Sequence, residues 1–100
     1  MVKILLVCNA GMSTSVLVQK MSQAAKEQNI EAEIWAVASS ESQENCAKAD
    51  ICLVGPQIRF MVKQIESQTD IPVKAIDMMS YGRMDGKAVL ESALKELGRV

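Results

Sequence analysis

Three cysteines and no histidine decide which chemistry is open to this chain of 100 residues. Without an imidazole, histidine-based acid–base catalysis, Ser-His-Asp triads and Cys-His proteases are excluded within the chain. Reactive groups must then be thiols, carboxylates, hydroxyls or backbone dipoles. Cys8 stands out by its context. It follows the apolar stretch Val2 to Val7 and opens the loop Cys8-Asn9-Ala10-Gly11-Met12-Ser13-Thr14-Ser15, which is small and rich in hydroxyls. Successive N–H groups in such a loop form an anion-binding nest, and the start of the following helix adds positive partial charge. Both favour a thiolate over a thiol, so one geometry would activate a nucleophile and cradle a phosphate carried on it. Gly11 lets the main chain approach a ligand closely, while Ser13, Thr14 and Ser15 have hydroxyls that can cap the helix or donate to thiolate and phosphate. The same spacing equally fits a Cys8 packed in the core next to ordinary serine caps, because free cysteine is often buried. Neither G-x-x-x-x-G-K nor G-x-G-x-x-G occurs, so this is not a nucleotide loop.

The other candidates are weaker. Cys52 lies inside the apolar run Ile51 to Val54 and reads as core, while Cys46, in the polar segment Glu44 to Ala47, reads as incidental. An odd number of cysteines with no Cys-x-x-Cys pair argues against a disulfide framework and a zinc site, so no metal is expected. Gln57 follows Gly55-Pro56, and Tyr81, Gly82 and Arg83 follow a later strand; each is a candidate contact for phosphate or a partner, with a helix start or plain surface as the alternative. Met21 and Met61 fall on apolar helical stripes and read as core, whereas Met12, inside the Cys8 loop, is a candidate partner contact.

These residues need elements to position them. Val2 to Val7 is apolar on both faces and predicts a central parallel strand. From Ser13 the apolar positions Leu17, Val18, Met21, Ala24 and Ala25 recur at helical spacing. Glu31 to Val37 alternates like a half-exposed edge strand, with Trp35 on the side of Glu31 and Glu33. The polar stretch Ser39 to Ala49 predicts a short helix. Ile51 to Val54 is a third strand, and Pro56 opens a helix whose stripe is Ile58, Met61, Val62 and Ile65. Pro72 to Ile76 is a fourth strand, and the last helix carries Leu90, Ala93, Leu94 and Leu97 before a stop at Gly98. Four strand–helix units imply an α/β fold: a four-stranded parallel sheet of order 2-1-3-4 with helices on both faces.

A hydrophobic content of 49% with a net charge of -1 suits one globular domain. No run of Lys or Arg forms a basic patch, so nucleic acid is not an expected partner. The apolar run ending at Cys8 is far shorter than the ~20 residues that span a bilayer, and a signal-peptide layout is missing, so a cytoplasmic protein is expected.

The string CNAGMSTSVLVQKM, placed after a strand, resembles the IIB component of the bacterial sugar phosphotransferase system (PTS), lactose/cellobiose (chitobiose) family. LVGPQIRFM and the stretch DMMSYGRMDG from Asp77 to Gly86 resemble the same family, so the resemblance covers nearly the whole chain. It implies a single IIB domain over residues 1–100 with a phosphatase-like P-loop after the first strand, and a phosphotransferase that needs no cofactor. In that family the cysteine of this motif, here Cys8, accepts a phosphoryl group from a phosphohistidine of the IIA component. It then passes the group to a sugar of cellobiose, chitobiose or lactose type held by the membrane component IIC. The implied phosphate ligands are Asn9, Ala10, Gly11, Met12, Ser13, Thr14 and Ser15, and the implied location is the cytoplasm with transient visits to the inner face of the membrane. Low-molecular-weight tyrosine phosphatases and arsenate reductases share the loop logic, but those phosphatases carry Arg six positions after the cysteine, where this chain has Thr14. Asp77 could mimic their general acid. A thiol sensor would require a second cysteine near Cys8.

Overall fold

In the computed structural model, which describes residues 1–8 and 12–98, the run Val2–Val7 forms strand β1 and is buried throughout except at Lys3. Helix α1 (Met12–Glu27) follows, then strand β2 (Ala32–Val37). A 3₁₀ turn at Ser39–Glu41 leads into the short helix α2 (Ser42–Cys46), and strand β3 (Ile51–Val54) comes next. Beyond it run a 3₁₀ stretch (Pro56–Met61), helix α3 (Val62–Glu66), strand β4 (Val73–Ala75), helix α4 (Met78–Gly82) and helix α5 (Gly86–Glu96). The sheet is parallel with order β2-β1-β3-β4, as the alternation of patterns predicts. The loop residues Asn9, Ala10 and Gly11, and with them the P-loop expectation, lie outside the described residues.

Alternation along β1 sends its side chains to two cores. Ile4, Leu6 and Cys8 face a cluster built with Leu17, Met21, Ala24 and Ala25 of α1 and Val89, Leu90, Ala93 and Leu94 of α5. Leu5 and Val7 face the second, with Cys46, Ala49, Cys52, Val54, Ile58, Ile65 and Val73. Burying one Leu, Ile or Met side chain fully stabilises by about 1.5–3 kcal/mol, so a strand apolar on both faces has no stable place except the middle of the sheet. Trp35 departs from the simple edge-strand pattern. Its ring packs on the second cluster and its indole N–H donates to Asn45 Oδ1 at 3.0 Å, so β2 is partly covered on both faces.

Cys46 differs from its sequence reading. It is 2% exposed and packs in the core, in the same cluster as Cys52. The neighbouring strand-like and helical segments gave no sign of this, because α2 is too short to display a stripe. Burial pushes both thiols above their ordinary value of 9.0, and at Cys52 the neighbouring Cys46 adds to the rise. Both belong to the second cluster, on the face of the sheet opposite Cys8, so neither supplies the second thiol that a redox couple with Cys8 would require.

Helix α5 meets α1 at Gly86. A Cβ built there would lie 2.4 Å from the backbone carbon of Lys20 and 2.5 Å from the nitrogen of Met21. Gly86→Ala is therefore expected to destabilise by about 1–3 kcal/mol through overpacking, read as a lowered urea midpoint. A second expectation concerns alkaline pH. The folded chain holds the Cys46 and Cys52 protons to higher pH than the unfolded chain, so the stability they contribute is full below pH 9.0 and is lost as pH rises through the raised folded values. Urea midpoints measured from about pH 8 to about pH 10.5 should fall less steeply for Cys46→Ala/Cys52→Ala than for the parent chain. Equal slopes would contradict this.

Candidate active site

Cys8 stands one residue past β1, where the last rungs of both neighbouring ladders clamp it. Its N–H donates to the Val37 carbonyl at 3.1 Å on the β2 side, and the Gly55 N–H donates to the Val7 carbonyl at 2.9 Å on the β3 side. The chain leaves β1 for β2 on one side and returns as β3 on the other, so the loops after β1 and β3 diverge and leave a crevice at the carboxyl ends. Cys8 is 4% exposed, yet it lines a hollow of about 330 Å³ together with Thr14, Ser15, Ala36, Val37, Ala38 and Glu41. Core cysteine and loop nucleophile are therefore compatible readings of one residue.

Gly55 borders the crevice from β3. A Cβ there would stand 2.9 Å from Cys8 Sγ and 3.3 Å from Gln57 Oε1. The backbone of Gly55, φ -58° and ψ 145°, suits any residue, so glycine is needed here for space and not for conformation. The same two distances put the Gln57 amide and the Cys8 sulfur within contact of one point, so the exposed Gln57 side chain turns back toward the thiol.

Thr14, the third residue of α1, is 1% exposed, and its Oγ1 has no hydrogen-bond partner among the described residues. Leaving a buried hydroxyl unpaired costs about 1–3 kcal/mol. Ser15 beside it is exposed. The first turn of α1 contains no acidic residue and its last turn holds Lys26, so no side chain of that turn cancels the positive end of the helix dipole. The first N–H groups of a helix lack intrahelical acceptors, and a helix start of this kind attracts anions. For Met12 and Ser13 the position in α1 is described and nothing further. Glu41 was not singled out from sequence; it reaches the hollow because the 3₁₀ turn after β2 folds over the strand end.

The remaining candidates scatter. Tyr81 is 9% exposed and packs in the first cluster, which assigns its ring to the core; Gly82 is exposed with nothing within 4 Å of an added Cβ. Arg83 lines a separate groove with Lys20 and Lys87. Asp77 is the N-cap of α4, its Oδ2 accepting from Ser80 N–H at 3.0 Å and from Ser80 Oγ at 3.1 Å, and it lines a hollow apart from Cys8. A wider hollow, about 730 Å³, opens at the other end of the strands around Val2, Ile30 and Leu94, with no cysteine in its wall. Among the described residues no three His, Cys, Asp or Glu side chains converge as a metal site would require.

The model of the lactose/cellobiose-specific IIB subunit family of the PTS matches residues 3–92. The chain is 48% identical over 97 residues to the oligo-beta-mannoside-specific EIIB component of the PTS of Bacillus subtilis (strain 168), covering 94% of each chain. It is 40% identical over 98 residues to the galactose-specific EIIB component of Lactococcus lactis subsp. cremoris (strain MG1363), covering 90% of this chain and 91% of that one. The solution structure of a cellobiose-specific phosphotransferase IIB component from Borrelia burgdorferi superposes with a TM-score of 0.78 at 43% identity, covering 94% of this chain and 89% of that one.

The contact between Gly55 and the thiol is measurable by itself. Gly55→Ala should destabilise by about 1–3 kcal/mol, and most of that cost should vanish in a Cys8→Ala background, where the sulfur no longer occupies the space. Urea denaturation of the four proteins of this cycle provides the measurement; additive effects would show that the added methyl strains something other than Cys8.

Proposed function

The chain belongs to the lactose/cellobiose-specific IIB family of the PTS, phosphotransferases of sugar phosphorylation, and we propose that Cys8 is the residue that carries its phosphoryl group. The observation that carries this reading is the clamped position of Cys8 at the switch point, beside an open hollow and the amino end of α1, whose first turn holds no acidic residue. EIIB components work between IIA and IIC partners. Here the Cys8 thiolate attacks the phosphorus of a IIA phosphohistidine in line; the S–P bond forms as the N–P bond breaks, and the electron pair stays on the imidazole nitrogen. Amides of the loop from Asn9 to Ser15 hold the equatorial oxygens, and the Gln57 amide lies close enough to assist. A sugar hydroxyl held by IIC then attacks the phosphorus: an O–P bond forms, the S–P bond breaks, Cys8 leaves as thiolate and the hydroxyl proton is released. A disaccharide of the cellobiose, chitobiose or lactose type is the acceptor class, selected by IIC.

Two further features support a relay. Among the described residues, four of the five exposed large hydrophobic side chains, Val16, Phe60, Met78 and Met79, lie on elements that start at the carboxyl ends of strands, as the docking of successive partners around Cys8 would require. Thr14 stands where the related phosphatases place Arg, and Asp77 is engaged as a helix cap, so a self-contained hydrolase lacks its charge clamp and its acid. No described helix is long and apolar enough to cross a membrane, and the chain meets IIC by docking from the cytoplasmic side.

Cys8→Ser tests the assignment. Incubated with phosphorylated IIA, the wild-type chain should gain one phosphate that maps to Cys8, whereas the variant should stay unmodified and support no sugar phosphorylation. A labelled variant, or a phosphate mapped to another residue, would overturn it.

A further inference from the structure

Among the residues that line the hollow beside Cys8, Glu41 alone is acidic and none is basic. The loop from Cys8 to Ser15 adds no charged side chain of its own. The place of Glu41 is set by a well-bonded turn. Strand β2 ends at Val37, whose carbonyl accepts the Cys8 N–H at 3.1 Å, and the 3₁₀ turn Ser39–Glu41 follows directly after Ala38. Within it the Glu41 N–H donates to the Ala38 carbonyl at 3.0 Å, and the Ser42 hydroxyl, in a residue 3% exposed, donates to the Ser39 carbonyl at 2.8 Å. The Asn45 amide donates to the Glu41 carbonyl at 2.9 Å, while its oxygen accepts the Trp35 indole N–H at 3.0 Å. The backbone of Glu41 is thus tied both to the strand end that holds Cys8 and to the second core cluster. Its carboxylate takes no part in these bonds. Glu41 is the N-cap of α2 but makes no side-chain cap bond, and among the described residues it joins no ion pair. Ser, Thr, Asp and Asn are the residues that cap a helix from this position, so capping does not account for a glutamate here.

We propose that Glu41 is a repulsive charge that sets how readily phosphocysteine gives up its phosphoryl group. The idea rests on Cys8 being the phosphorylated residue. A phosphoryl group on a side chain carries about −1.5 to −2 charge at pH 7, so a carboxylate held at the same hollow disfavours the phosphorylated state relative to the free thiol. No bond to Glu41 forms or breaks. The S–P bond forms as the N–P bond of the phosphohistidine breaks, and the carboxylate acts through space on the product of that step. Loop amides draw the group in and Glu41 opposes them, which shifts the balance from keeping the phosphoryl group toward handing it to the sugar hydroxyl. No lysine or arginine of the hollow cancels the repulsion. Because Glu41 is exposed, water and dissolved ions weaken it, and salt becomes a handle on its size.

Glu41→Gln removes the charge and keeps the shape, Glu41→Asp keeps the charge on a shorter side chain, and Glu41→Lys reverses it. Each variant and the wild type are equilibrated with a fixed ratio of phosphorylated to free IIA of a cellobiose-type system, at about 20 mM and about 500 mM salt. The readout is the phosphocysteine-to-thiol ratio relative to wild type at the same salt. Read at equilibrium, it does not depend on how fast the partners dock. At low salt Glu41→Gln should raise the ratio about fivefold and Glu41→Lys should raise it further, while Glu41→Asp stays within about twofold of wild type. At high salt the rise for Glu41→Gln should shrink below about twofold. A low-salt ratio for Glu41→Gln within about twofold of wild type, or below it, would overturn the proposal. So would a rise of equal size at both salts, or one as large for Glu41→Asp as for Glu41→Gln, because either marks an effect of shape or hydrogen bonding and not of charge. Mapping the phosphate in the wild type separates the two ideas. Label on another residue sinks the Cys8 assignment; label on Cys8 with an unmoved Glu41→Gln ratio sinks the Glu41 role alone.

Discussion

Two backbone hydrogen bonds, Cys8 N–H to Val37 O and Gly55 N–H to Val7 O, hold the end of β1 between its neighbours, and the site depends on them. They are the final rungs of ladders that register Val7 with Val37 on one side and with Val54 on the other. A strand held on both edges cannot slide or fray at its last residue, so the position of the thiol is set by the whole sheet. The central place of β1 follows from its own composition, since apolar residues on both faces are stable only where helices cover both.

Around that fixed point the fold divides its work. The face formed with α1 and α5 supports Cys8 from below and brings the amino end of α1 to the strand end. Gly86 allows the two helices to approach until backbone meets backbone. The opposite face, with α2, α3 and the 3₁₀ stretch between β3 and α3, buries Cys46 and Cys52 where burial keeps their protons on. Three cysteines thus have two separate fates. What distinguishes Cys8 is its place at a strand's carboxyl end beside a helix start, since the other two lie within covered structure.

The space beside the thiol is shaped as much by what is missing as by what is present. Gly55 gives up a side chain so that the sulfur and the Gln57 amide share one region. Thr14 occupies the position from which an arginine would clamp a phosphate in a hydrolase, and Asp77 is engaged by Ser80. Phosphoryl transfer depends chiefly on positioning and charge stabilisation. Position 14 carries no guanidinium, which fits the proposed role of Cys8 as a residue that accepts a phosphoryl group and hands it on.

Much of this was legible in the sequence because it rests on local rules. The apolar runs at Val2 to Val7 and Ile51 to Val54, the helical stripe from Leu17 to Ala25, and the stop at Gly98 each state their element by periodicity or by φ preference, and alternation of strand and helix then dictates a parallel sheet. The missing histidine and the hydroxyl-rich loop after Cys8 made that thiol a candidate nucleophile by chemical type, with a core cysteine as the alternative. What stayed hidden requires two distant segments to meet. Cys46 looked incidental until α2 folded onto Cys52; Tyr81 looked exposed until α4, a single turn too short to show a stripe, turned its ring into the core. Gly55 read as a strand end, and only the pairing of β3 with β1 made it the residue that makes room for the thiol. Thr14 was one of three interchangeable hydroxyls. Burial against the Cys8 hollow, a property of tertiary packing that neighbouring residues in the chain cannot encode, separates it from Ser15.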